Sequence, residues 1–150
     1  MAQSDSRRLA MVLPYLYPDL KNDGSSTTDY RLRNDMDDTG TYLIWLNPTR
    51  IVEGEQVAIA EPTEQELADA KEPAVNAWWW KLLRIKRDRL LKASDWSQGA
   101  DVPSALKSSY TTYRTDLREL PTTVTKPDFA TLNNQSITEW DIDSLMPSKP

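Results

Sequence analysis

The sequence predicts an α+β fold: a small antiparallel β unit, then a two-helix hairpin, then an extended C-terminal tail. Three observations carry this. Strand-like stretches broken by turn residues are confined to residues 1–60, and long stretches of helix formers free of proline and glycine fill 74–92 and 104–120. The last thirty residues hold four prolines, Pro121, Pro127, Pro147 and Pro150. At 150 residues, the chain has the size of one domain, or of a small domain with tails. Four segments are expected: a β-rich unit over 1–60, a short helix and linker over 61–73, the hairpin over 74–121 and the tail over 122–150.

In the first segment, residues 9–16 are apolar but broken by Pro14, and residues 21–28 form a loop of Asn, Asp, Gly and Ser. Residues 30–34 alternate, and residues 41–46 are the strongest strand signal, rich in aromatic and β-branched side chains. Asn47 and Pro48 end that strand. Ile51 and Val52, and residues 56–59, flank Glu53-Gly54-Glu55, a hairpin turn with glycine at positive φ. Between the first two strands lie Asp35, Asp37 and Asp38 with Gly40. An EF-hand loop needs a third ligand at its fifth position and a glutamate at its twelfth. Thr39 and Leu46 stand there, so a solvated turn is expected and no metal.

Thr63 with Glu66 three residues later is a capping box, and the early acids suit the positive end of the helix dipole. Pro73 is expected to stop this helix after two turns. Glu64, Glu66 and Asp69 resemble paired carboxylates, but the capping role explains them without a catalytic pocket. From Ala74 a helix runs to Lys92, with Leu83 and Leu90 on one face. Residues 94–103 are a loop. Ser104 is expected to cap a second helix carrying Leu106, Tyr110, Tyr113 and Leu117 as an apolar stripe, with Pro121 as its stop. Leu83, Leu90, Leu91, Tyr113 and Leu117 are the expected hairpin core.

Composition excludes much chemistry. There is no histidine and no cysteine, and only four glycines. This removes His-based triads, thiol nucleophiles, ordinary structural zinc and disulfides. Glycine-rich phosphate loops are excluded by the wide spacing of the glycines. The expectation is a non-enzymatic protein without cofactors. Net charge is −5, which disfavours non-specific nucleic-acid binding. Charge is uneven: residues 1–72 hold 14 acids and 7 bases, while residues 73–120 hold 9 bases and 5 acids. The apolar runs 42–46 and 77–80 fall far short of the ~20 residues that span a bilayer. The first five residues lack a signal peptide's apolar core, and a reducing compartment fits the lack of cysteine. A cytoplasmic product is expected.

The motifs of the hairpin are more specific. Arg84, Arg87, Asp88, Leu90, Leu91, Ser94, Asp95 and Trp96 are followed by Asp101 and Pro103, then by Tyr113, Arg114, Leu117, Arg118, Leu120 and Pro121. This resembles the phage tail assembly chaperone family, found as small tail-fibre assembly proteins and as modules on phage structural proteins. The family pattern reads roughly R-x-x-R-D-x-L-L-x-x-[ST]-D-W, then D-x-P, then Y-R-x-x-L-R-x-L-P, and each of these positions is matched. The ending from Met146 to Pro150 is similar to the family's W-P-x-K-P, with methionine in place of tryptophan. The strong likeness covers residues 84–121, and a weaker one extends over 30–150. Residues 1–29 match no pattern of the family.

The resemblance implies a protein that binds a phage tail fibre, or a neighbouring tail or baseplate protein, and assists its assembly in the host cytoplasm. A homo-oligomer following fibre symmetry is a further implication; nucleic acid and membrane are not implied as partners. The alternatives are a permanent virion component of fibre or baseplate, and a receptor-binding tip. Within the motif, Asp95 is expected to bind loop amides and Trp96 to close the hairpin core. Arg87, Asp88 and Arg114 are expected to pair across the helices. Three successive helical residues, Trp78, Trp79 and Trp80, point about 100° apart, so at least one ring must face away from the core; one or two of the rings are expected to contact another chain, with packing between the strands and the hairpin as the alternative. The tail's Ile137, Trp140, Ile142, Leu145 and Met146 are too apolar to stay free in water. Trp140, Ile142, Leu145 and Met146 join the tryptophan run as the expected partner surface.

Overall fold

The computed structural model describes residues 2–34 and 41–150, so the aspartate-rich turn lies outside the described residues. The chain divides into two units, Met1–Asn76 and Ala77–Pro150, and the division falls inside one long helix.

The first unit begins with a helix, α1 (Ala2–Leu16), where a broken apolar stretch was expected. Pro14 sits in its last turn. There the missing N–H removes one bond, and the turn still closes through Tyr17 N–H donating to Leu13 O at 2.8 Å. Met11, Val12 and Leu13 are buried on this helix, with Arg8 one turn before. The β part is two separate two-stranded sheets, both antiparallel. Strand β1 (Tyr30–Asn34) pairs with β2 (Thr41–Trp45), Tyr30 opposite Trp45. These two rings stack at 6.3 Å, and Tyr17 adds a tilted ring 5.4 Å from Trp45. Burial raises the Tyr30 hydroxyl above its ordinary pKa. Strand β3 (Thr49–Val52) pairs with β4 (Glu55–Ala58). Their turn places Glu53 at φ 53° and Gly54 at φ 87°, as a two-residue hairpin of primed type requires. Every side chain of this ribbon is exposed.

Helix α2 (Glu64–Ala93) starts at the expected capping box. Thr63 N–H donates to Glu66 Oε2 at 2.8 Å, and Glu66 N–H donates to Thr63 Oγ1 at 3.2 Å. The helix does not stop at Pro73 but runs through it for thirty residues, about 45 Å. An internal proline costs about 3 kcal/mol. Apolar burial beyond the proline offsets a cost of this size, because Val75, Trp79 and Leu83 stand at successive i, i+4 spacings and all are buried.

The second unit contains the rest of α2, the turn, and α3 (Ser104–Thr123). The loop holds a short 3₁₀ helix, Asp95–Gln98. Ser104 does not cap α3: the cap position is Pro103, with no side-chain bond, and Ser104 is the first helical residue. Pro121 lies within the last turn, and the helix ends only at Thr123. Space at Gly99 is tight. A Cβ there would stand 2.9 Å from Asp101 Oδ1 and 3.3 Å from Trp96 O.

The tail is more ordered than an extended strand. Helix α4 (Phe129–Asn134) is capped by Asp128, which accepts from Thr131 N–H at 2.7 Å. Two 3₁₀ turns come next, Ile137–Glu139 and Asp143–Leu145. Ser136 and Glu139 form a second capping box. The tail docks on its own hairpin. Met146 packs against the buried cluster of Tyr110, Tyr113 and Leu117, and Lys86 on α2 pairs with Asp143 at 2.5 Å. Leu90 and Leu91 only half-bury against that cluster, so the expected hairpin core is centred on α3 and completed by the tail.

Candidate functional site

The family-like residues converge on the turn of the hairpin. Helix α2 ends with Ser94, whose hydroxyl donates back toward Leu90 O at 3.0 Å and Leu91 O at 2.9 Å. This local bonding competes with further helix and ends it. The chain then enters the 3₁₀ turn, where buried Ser97 donates to Ser94 O at 2.7 Å.

Arg114, midway along α3, reaches across to this end. Its Nη1 donates to Leu91 O at 2.6 Å and to Ser94 Oγ at 2.8 Å, and its Nη2 pairs with Asp95 Oδ1 at 2.8 Å. The arginine is buried, while Asp95 is largely exposed. A guanidinium suits this place because it is planar, always charged and offers several fixed donors. It also sets positive charge at the negative end of α2. Lys107 ties the far side of the turn, donating to Gly99 O at 3.3 Å.

Three expectations about the motif change. Asp95 pairs with Arg114 rather than with loop amides, and Arg87 pairs with its neighbour Asp88 at 2.7 Å rather than across the helices. Trp96 does not close the core: it is 53% exposed and leans edge-on against Tyr110 at 5.0 Å. Its place in the 3₁₀ turn lifts the ring over the rim of the cluster, and Tyr110 with Tyr113 fills the space below it. Leu106, one turn before Tyr110 in the predicted stripe, is exposed as well.

The expected partner surface divides by burial. Trp79, Trp140 and Ile142 are buried in the chain itself. Trp140 also donates Nε1–H to Leu132 O at 3.2 Å. Trp78, Trp80, Leu145 and Met146 are half-buried. Lys81 Nζ lies 4.6 Å over the Trp78 ring, and Trp80 meets Trp79 edge-on at 4.9 Å. Leu145 also lines a hollow of about 290 Å³ with Asp116, Glu119, Leu120, Thr123 and Pro147. Sequence reasoning missed the Lys86–Asp143 bridge and the role of Ser97. Neither has a local signal, since one joins residues 57 apart and the other is a small polar residue in a loop.

Glu66 and Asp69, the carboxylates weighed for catalysis, are otherwise engaged. Thr63 N–H, then the Thr63 hydroxyl, holds the Glu66 carboxyl below its usual pKa. Asp69 accepts from Gln65 at 2.7 Å. Among the described residues no group of three or more acidic side chains is placed to hold a metal ion, and no helix is long and apolar enough to cross a membrane.

Residues 80–140 match the family of phage tail assembly chaperone proteins. The matched stretch holds the Arg114 lock, the whole of α3 and the tail as far as Trp140. It is the family that the motifs of 84–121 resemble. No curated protein and no solved structure matches the chain.

Proposed function

We propose that this chain binds a phage tail fibre protein in the host cytoplasm and assists its trimerisation or attachment, without catalysis. The observation that carries the reading is the match of residues 80–140 to tail assembly chaperones, over a segment whose motif residues tie α3 to the end of α2. Arg114 fixes the register of α2 against α3, and the tail closes over the cluster between them. A fixed hairpin lets the side chains left half-buried meet a partner without prior ordering, which lowers the cost of binding. Trp78, Trp80, Leu145 and Met146 are the expected contacts, together with exposed Trp96. Aromatic side chains are the commonest interface anchors.

The test is co-expression with a phage tail fibre protein, with pull-down and sizing of the fibre. The reading expects co-purification, and more trimeric fibre than in its absence. A fibre that trimerises equally well alone, with no complex recovered, overturns it. Purified mature virions should lack the chain; its presence at a fixed ratio to fibre would make it a structural part of the tail.

A further inference from the structure

The water-facing side of α2 carries more positive charge than the chain balances. Between residues 81 and 92 lie six cations and one acid. Lys86 is bridged to Asp143, and Arg87 to Asp88. Lys81 rests on the Trp78 ring, which leaves its charge without an acid. Arg84, Arg89 and Lys92 have no ion-pairing carboxylate among the described residues. Successive helical residues turn by about 100°, so Lys81, Arg84, Ile85, Asp88, Arg89 and Lys92 share an arc of about 140°. All six are exposed, Ile85 at 55%. Like charges one turn apart weaken a helix slightly. This face nonetheless carries four unbalanced cations in a chain of net charge −5.

We propose that this face docks an acidic segment of the tail protein, with Ile85 as its apolar seat and the cations as its charged rim. The proposal rests on the reading that the partner is a tail protein. Charge complementarity selects the occupant: a positive face attracts and orients a negative one. The cations run from Lys81 to Lys92, about 17 Å. The occupant thus presents several carboxylates over about three helical turns, around one large apolar side chain. A nucleic acid fits less well. An exposed isoleucine at the middle of the face offers a phosphate backbone nothing.

The test uses the full chain and a labelled helical peptide with four glutamates at matching spacing around one leucine. Its glutamine counterpart and a short duplex DNA are the controls. The acidic peptide should bind at least tenfold more tightly than the glutamine peptide, and more tightly than the DNA. Its affinity should fall as salt rises. The Arg84→Glu/Arg89→Glu variant, checked for an unchanged thermal melt, should lose at least tenfold; Arg84→Gln/Arg89→Gln should lose less. Equal binding of the two peptides, tighter binding of DNA, or an unaffected charge-reversal variant overturns the proposal. So does a salt-sensitive dimer of the chain alone that the variant abolishes, since the occupant would then be a second copy. Co-purification of fibre with the charge-reversal variant at wild-type yield sinks this docking face and leaves the fibre reading standing. Peptide binding without any fibre complex does the reverse.

Discussion

The β3–β4 ribbon and the α2–α3 hairpin are both pairs of antiparallel elements joined by a turn, yet they are held in different ways. In the ribbon the instructions are local: a positive-φ turn at Glu53 and Gly54, four cross-strand pairs, and no buried side chain. A two-stranded ribbon of this kind is marginal by itself. In the hairpin the turn is longer and adopts no special φ at its glycine. Closure comes instead from a residue twenty positions away, Arg114, and from Met146 at the other end of the unit. The comparison teaches where substitutions will be felt. The ribbon depends on its backbone, and the hairpin depends on a few side chains far apart in sequence. The family match falls on the hairpin and stops short of the ribbon.

The largest effect should come from the hairpin's interior. Leu117 is completely buried, and Leu117→Ala should cost about 2–5 kcal/mol in denaturant melts. Leu90, half-buried, should lose only about 1 kcal/mol on the same truncation. Equal losses at the two sites would mean that α2 and α3 share the core evenly, against the packing described. Next comes the lock. Arg114→Lys keeps the charge but cannot bond Leu91 O, Ser94 Oγ and Asp95 together. It should cost about 2 kcal/mol, while Asp95→Asn, removing a partner in water, should cost ~0–1 kcal/mol. A larger loss for Asp95→Asn than for Arg114→Lys would show that the ion pair, and not the carbonyl bond, closes the hairpin.

The ribbon should answer to a different kind of change. Gly54 has nothing within 4 Å of a would-be Cβ, but its φ is +87°. Gly54→Ala should therefore cost about 1–2 kcal/mol through the backbone alone. Hydrogen exchange should speed up across residues 49–58 and stay unchanged across 104–123. Faster exchange in α3 as well would break the contrast between local and distant instructions.

The same contrast explains which features are legible in the sequence. The β3–β4 turn and the Thr63–Glu66 box are written in adjacent residues, and both read correctly. The hairpin motif is legible by resemblance, though the motif does not say that Arg114 bonds a carbonyl of α2. The prolines mislead three times, at Pro14, Pro73 and Pro121. Proline forbids one hydrogen bond, and whether a helix survives that depends on apolar burial further along, which is tertiary information. Trp96 shows the opposite limit. An aromatic residue in a 3₁₀ turn obeys no helical period, so neither its exposure nor its lean against Tyr110 could be foreseen.

The smallest effect concerns pH, and it compares one cap from each unit. Glu66 caps α2 in the first unit, and Asp128 caps α4 in the second. Bonding from Thr63 N–H lowers the Glu66 pKa below its ordinary 4.5, and bonding from Thr131 N–H lowers that of Asp128 below its ordinary 3.8. Both carboxyls bind protons less readily folded than unfolded. Each cap's contribution is thus fully present above the ordinary value and is lost as pH falls through the lowered one. Both groups are in water, so each effect is small. Glu66→Gln should remove pH dependence that begins just below 4.5, and Asp128→Asn should remove dependence that begins nearer 3.8. Amide exchange in the first turns of α2 and α4 resolves the two. If protection in α2 instead rises as the solution is acidified through this range, the Glu66 carboxylate does not cap the helix, and the one instruction that both units write locally has been misread.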